Sequence, residues 1–331
     1  MSEPKTTAPN TQQKNNSIGA LILIILTAIA IIVSLILGGI RLFGQDGEKP
    51  TESPTGSPSI DPDDPNFKLE AWPSDQPLSN NAMLSGTLLI PTDEYVAENL
   101  QKINKGGQFL SDDIQINQDA NEALIRMLTA MNGALSFDES IMVHTAYTDK
   151  ADKDYRTGLT VRFRLVRSNG EYCYLREATG DNPVTWFADN AWKYGFILRY
   201  PEGNTVKEDG NLVSDVYRYV GIPHAYYITK VLKLEGDAVP TLEDYVAHIK
   251  NIKVSDSTFE VKGSGSDDGI YNVYYVAAAD KDKAMLREGA EIYSVSGVGD
   301  GYIVTSYIRT EASPEDSGTE EPTESQTEES K

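Results

Sequence analysis

NPVTWFADNAWKYGFILRYPEG, residues 182–203, decides the fold. Asn182 suits a helix N-cap and Pro183 the first helical position, because Pro lacks only an N–H that would go unbonded there anyway. The apolar positions Trp186, Phe187, Ala191 and Trp192 then recur with helical spacing, and Gly195 ends the run. FILRY changes the period to that of a strand. This unit is thus a helix that feeds a short strand through a glycine, one part of a body that mixes helices and strands, the α+β class.

Outward from this unit the pattern continues. GLTVRFRLVR and EYCYLRE, on either side of Ser168-Asn169-Gly170, read as a hairpin whose Asn-Gly predicts a type I′ turn. IMVHTAY (141–147) and VYRYV (216–220) read as strands, and SGTLLIP (85–91) as the first strand. Ala120, Ala123, Leu124, Met127, Leu128 and Met131 mark an amphipathic helix ending near Gly133. A helix is expected over 223–232, and Thr241 with Asp244 forms a capping box for another carrying Leu242, Tyr245, Val246 and Ile249. From Thr258 onward, TFEVKG, IYNVYYVA, AEIYSVS and YIVTSYI are short β-type runs between Gly/Asp turns, a small all-β appendage over 251–310.

The flanks differ in kind. Ile18 to Ile40 holds no charged side chain, and at about 1.5 Å per residue its 23 residues span a bilayer core. It lacks the small-residue end of a cleaved signal peptide, so it predicts one transmembrane helix anchoring the chain in the plasma membrane. Lys5, Lys14 and the terminal amine before it leave residues 1–17 as a cytoplasmic tail and the body on the extracytoplasmic side. Residues 41–75, rich in Pro, Ser and acids, predict a disordered stalk, and 311–331 an acidic disordered tail. The folded carboxyl-side body begins at 76. The net charge of −21 divides into +2 for 1–43, −6 for 44–75, −10 for 76–310 and −7 for 311–331. That balance excludes a nucleic-acid partner, which needs a Lys/Arg surplus. One cysteine, Cys173, excludes an internal disulfide framework.

The order Trp186, Asn190-Ala191, Tyr194 to Pro201, then Arg218 to Gly221 resembles the VanY-type D-alanyl-D-alanine carboxypeptidases. The resemblance covers roughly 84–250 and implies a VanY-like metallopeptidase fold for a domain over 76–250. It also implies a zinc site built from S-x-H-x-x-G-x-A-x-D and a later E-x-x-H, with the Glu as general base. On DYRTGLTVRF, Gly158 falls on the motif glycine. The first His position is then Tyr155 and the Asp position Arg162. Counting back from Arg218, the Glu position is Val213 and the last His position Val216. Valine neither ligates a metal nor takes a proton, and arginine repels a cation. No zinc or other cofactor is therefore expected.

What remains is a ligand site. Arg162 and Arg164 share one strand face, and with Tyr155, Tyr217 and Tyr147 they are candidates to hold a carboxylate-bearing cell-wall peptide or a partner protein. The competing reading is that these arginines pair with acids of their own domain. His144, in a predicted core strand, His224 and His248 fit no local metal spacing. Three functions stay open: a catalytically inactive pseudo-peptidase that binds or regulates at the cell wall, an active zinc enzyme with a rebuilt site, and a purely structural ectodomain.

Overall fold

A computed structural model describes residues 68–308 except 80–85, 93–94, 96, 98, 104–113, 151–152, 202–206, 209–210, 213–214 and 266. The expected cytoplasmic tail, membrane span and acidic tail lie outside these residues, as does most of the stalk. Among the described residues no helix is long and apolar enough to cross a membrane.

The chain begins with β1 (Leu69–Ala71), then β2 (Leu100–Lys102), which pairs with β3 (Gln115–Asn117). Asn117 caps α1 (Gln118–Ala134) by accepting from the Asp119 N–H, and Ala120, Ala123, Leu124, Met127, Leu128 and Met131 form its buried stripe. β4 (Ser140–Thr145), β5 (Thr160–Val166) and β6 (Tyr172–Cys173) follow. Asn182 caps α2 (Pro183–Asn190) through the Val184 N–H. A 3-10 turn then ends at left-handed Gly195 and releases β7 (Phe196–Leu198). β8 (Lys207–Glu208) pairs with β9 (Asn211–Leu212) ahead of β10 (Val216–Tyr219). α3 (Ile222–Tyr226) continues as a π turn, and α4 (Leu242–Asn251) starts at the Thr241–Asp244 capping box.

The main sheet has the order β4-β5-β10-β7, with β6 added to β5. Its pairs are antiparallel. α1 and α2 cover the face that carries Ile141, Val143, Val161, Phe163 and Leu165. Each large side chain fully buried there stabilises by roughly 1.5–3 kcal/mol.

The second sheet, order β11-β12-β15-β14, comprises β11 (Thr258–Val261), β12 (Gly269–Ala277), β14 (Ala290–Gly297) and β15 (Gly301–Ile308). It shares one hydrophobic core with the body: Phe259, Tyr271, Val273, Tyr275 and Ile303 pack with Tyr245, Ile249, Ile222 and Trp192. β1 pairs with β13 (Met285–Arg287), so residues 69–71, expected in the stalk, form a strand against the second lobe.

Two local expectations are corrected. Residues 86–91 form no strand. The carbonyls of Thr87 and Leu89 instead accept from the Arg218 guanidinium, at 3.1 and 2.8 Å. The β5–β6 turn is not type I′, because Asn169 keeps a negative φ and only Gly170 is left-handed, at +84°. It closes by the Gly170 N–H to the Arg167 carbonyl, with Asn169 Oδ1 accepting from the Glu171 N–H.

Candidate functional site

Strand alternation sorts β5 and β10 into two faces. Val161, Phe163, Leu165 and Tyr217 enter the helix-covered core. Thr160, Arg162, Arg164, Val216 and Arg218 leave on the other side. The register sets Val216 directly opposite Arg162, and directly paired residues share a face. Tyr155, on a 3-10 turn over Lys153–Thr157, packs against Val216 and Tyr200. The turn is held by the Thr157 hydroxyl, which donates to the Asp154 carbonyl and accepts from the Leu159 N–H. Gly158 follows at φ +67°, where a Cβ would sit 2.6 Å from Leu100 Cδ2. Tyr155, Val216 and half-buried Arg162 thus converge on one spot, while Val213 lies outside the described residues.

Beside them lies a buried ionic network. Arg199 Nε donates to Asp154 Oδ2 at 2.5 Å, its two terminal nitrogens bond the Glu243 carboxylate, and the Tyr200 hydroxyl donates to Asp154 at 2.7 Å. Arg218, fully buried, has Nη1 3.8 Å from Asp154 Oδ1. Burial alone would raise the Asp154 carboxyl, but the Arg199 and Arg218 charges outweigh it and hold the group below the usual carboxylate range. Burial pushes Arg218 down to about 10, against the pull of Asp154.

The other expected site residues go elsewhere. Arg164 is a correction: its Nη1 bonds Asp215 Oδ2 at 2.8 Å and the Phe163 carbonyl at 3.0 Å, and its guanidinium lies 4.3 Å from the centre of the Tyr174 ring. Its charge is spent inside the domain. Tyr217 is another, since it projects to the opposite face and packs 4.8 Å from Phe187 and 5.7 Å from Phe163, ring centre to ring centre. Burial raises its hydroxyl far above the normal tyrosine range. Tyr147 lies just past β4, its N–H donating to the Gln115 carbonyl.

The histidines are scattered. His144 sits exposed at a bulge in β4 with its ring edge-on to Tyr172, not in the core. His224 is buried between the Tyr245 hydroxyl (2.7 Å) and the Thr305 hydroxyl (3.2 Å), and His248 meets the Tyr227 hydroxyl at 3.0 Å. Among the described residues no three His, Cys, Asp or Glu side chains group to hold a metal. Where the resemblance implies zinc ligands, the structure places Val216, which has no lone pair, Arg162, a fixed cation, and Tyr155, packed on Val216 and Tyr200.

Asp154, Arg199, Arg218 and Asp215 are the functional-face residues that sequence reasoning misses. Their side-chain partners lie 44 or more positions away, so no local spacing reveals them. The one hint is that Arg199 and Arg218 each break an otherwise apolar strand run.

No family model matches the chain. It is 32% identical over 123 residues to a D-alanyl-D-alanine carboxypeptidase of Enterococcus faecium, covering 37% of this chain and 36% of that protein. It is 36% identical over 104 residues to the carboxypeptidase-like YodJ of Bacillus subtilis (strain 168), covering 30% and 34%. The chain thus spans about a third of the length of the curated relatives it matches. Among solved structures it is similar to the vancomycin resistance D,D-dipeptidase VanXYg, with 19% identity, a TM-score of 0.48, and 73% and 99% of the two chains covered. It is also similar to a VanY D,D-pentapeptidase variant solved with Zn(II), with 19% identity, a TM-score of 0.33, and 50% and 98% covered. Over that segment the chain is thus similar in sequence to D-alanyl-D-alanine carboxypeptidases.

Proposed function

We propose that this is a membrane-anchored, extracytoplasmic D-Ala-D-Ala carboxypeptidase-like protein that binds at the cell wall without cutting. Residues 18–40 supply the anchor, and the ligand is a peptidoglycan stem peptide or a partner protein bearing a carboxylate. One observation carries the reading: Arg162 stands across the ladder from Val216, with Tyr155 packed on that valine. A guanidinium there suits a carboxylate and opposes a divalent cation. Kinship with wall-trimming carboxypeptidases supports the wall as the place of action.

The test uses the full chain. Metal content after purification with zinc present is measured, then D-alanine release from a stem pentapeptide, with and without chelator. The expected result is no stoichiometric zinc and no release, with stem-peptide binding lost in Arg162→Ala. Stoichiometric zinc or chelator-sensitive release overturns the proposal, and so does unchanged binding in that variant.

A further inference from the structure

Tyr217, which leaves β10 on the face opposite Val216, lines a cavity of about 480 Å³. Small-molecule sites measure roughly 300–1,000 Å³. The lining comes from separate elements: Ala188 on α2, Leu198 on β7, Ile228 on the π turn, and Val239 on the loop before α4. Most of it is apolar, and exposed Val231 and Val239 extend the apolar surface around it.

Two further features say what binds. Lys230 and Lys233 line the same cavity, and neither forms an ion pair among the described residues, in a chain of net charge −21. The Lys230 ammonium lies 5.7 Å from the Trp192 ring centre, and Lys193 lies 5.8 Å from it. The second feature is the π turn, Tyr227–Val231, where the Leu232 N–H reaches the Tyr227 carbonyl five residues back at 2.8 Å. Such turns are rare and occur mostly at functional sites. This one carries Ile228, Thr229 and Lys230 to the cavity.

We propose that this cavity binds a free single-chain amphiphile, its hydrocarbon chain among the apolar lining and its anionic head at Lys230 and Lys233. Lysines without an ion pair among the described residues, beside an apolar hollow, select an anion with an apolar body over a plain hydrocarbon or a polar anion. The chain's own acidic tail, 311–331, has no Leu, Ile, Val, Met or aromatic side chain to fill it. The cavity sits at the β7 edge of the sheet and Arg162 is not among its lining residues, so this proposal stands or falls apart from the preceding one.

The test titrates the full chain, held in zwitterionic phosphatidylcholine nanodiscs, with 11-bromoundecanoate, whose bromine quenches tryptophan on contact. Saturable quenching is expected, with the neutral 11-bromoundecanol binding about tenfold more weakly or worse. Lys230→Glu with Lys233→Glu should weaken the carboxylate by a similar factor and leave the alcohol nearly unchanged. Ala188→Phe, at an exposed position, should block both probes without lowering the melting temperature. Quenching that never saturates, equal affinity for acid and alcohol, or binding untouched by Ala188→Phe overturns the proposal. A chain ending at residue 310 that binds far more tightly also overturns it, by assigning the cavity to the tail.

Discussion

The Arg164 guanidinium lies 2.8 Å from the Asp215 carboxylate, and both side chains are shut away from water. Neither can lose its partner cheaply. Removing one member of a buried pair leaves an uncompensated charge, at about 3–5 kcal/mol, whereas replacing both by apolar groups is often near neutral. Asp215→Leu should therefore lower stability by about that much. Arg164→Leu with Asp215→Leu should recover most of it. Urea unfolding of the two single variants and the double variant measures the coupling.

His224 makes stability depend on pH in a defined direction. Burial pushes its imidazole from 6.5 down to about 3, so the folded protein keeps it neutral. Below pH 6.5 the unfolded chain takes up a proton that the folded chain refuses, and stability falls with pH until the folded group titrates. The contribution is complete above 6.5 and shrinks by about tenfold in the folding constant per pH unit below it. Urea midpoints measured between about pH 6.5 and pH 5 should slope less steeply in His224→Gln by that amount.

Gly195 joins the helical unit to β7 at φ +78°, where a Cβ would lie 2.7 Å from the Tyr219 ring and 3.0 Å from the Gly221 carbonyl carbon. A left-handed non-glycine residue costs about 1–3 kcal/mol before any clash. Gly195→Ala should lose at least that in thermal or urea unfolding, while Gly133→Ala, with nothing within 4 Å of its Cβ, should not.

The second sheet is half of a shared core. Deleting residues 252–331 would bare Tyr245, Ile249, Ile222 and Trp192, now covered by Phe259, Tyr271 and Val273. The shortened chain should bind a hydrophobic dye and aggregate, in contrast to the full chain. A soluble, cooperatively melting truncation would show that the body stands without the second sheet.

Elements with a local cause were legible in the sequence. The Asn182 and Thr241 caps, the α1 stripe and the strand runs of the second sheet depend on residues a few positions apart, and the structure places them where the spacing predicts. Features with a distant cause were not. Thr87 and Leu89 look like strand residues, yet their carbonyls answer to Arg218, about 130 positions away. Arg164 looks like a surface cation until Asp215, 51 positions on, is brought beneath it. Tyr217 is a ligand candidate in the sequence, but the period-two alternation of β10 turns it to the face opposite Val216.

The short ladder between β1 and β13 decides where mechanical tension enters the molecule. Leu69 pairs with Arg287 and Ala71 with Met285, and Glu288 and Ala284 add backbone bonds to Lys68 and Trp72 at either end. A pull on the chain ahead of Lys68 therefore loads the β1–β13 ladder before it passes along the chain toward the main sheet. Such a pull would have to part β1 from β13 before it acted on the rest of the fold, which makes this two-stranded ladder a mechanical buffer.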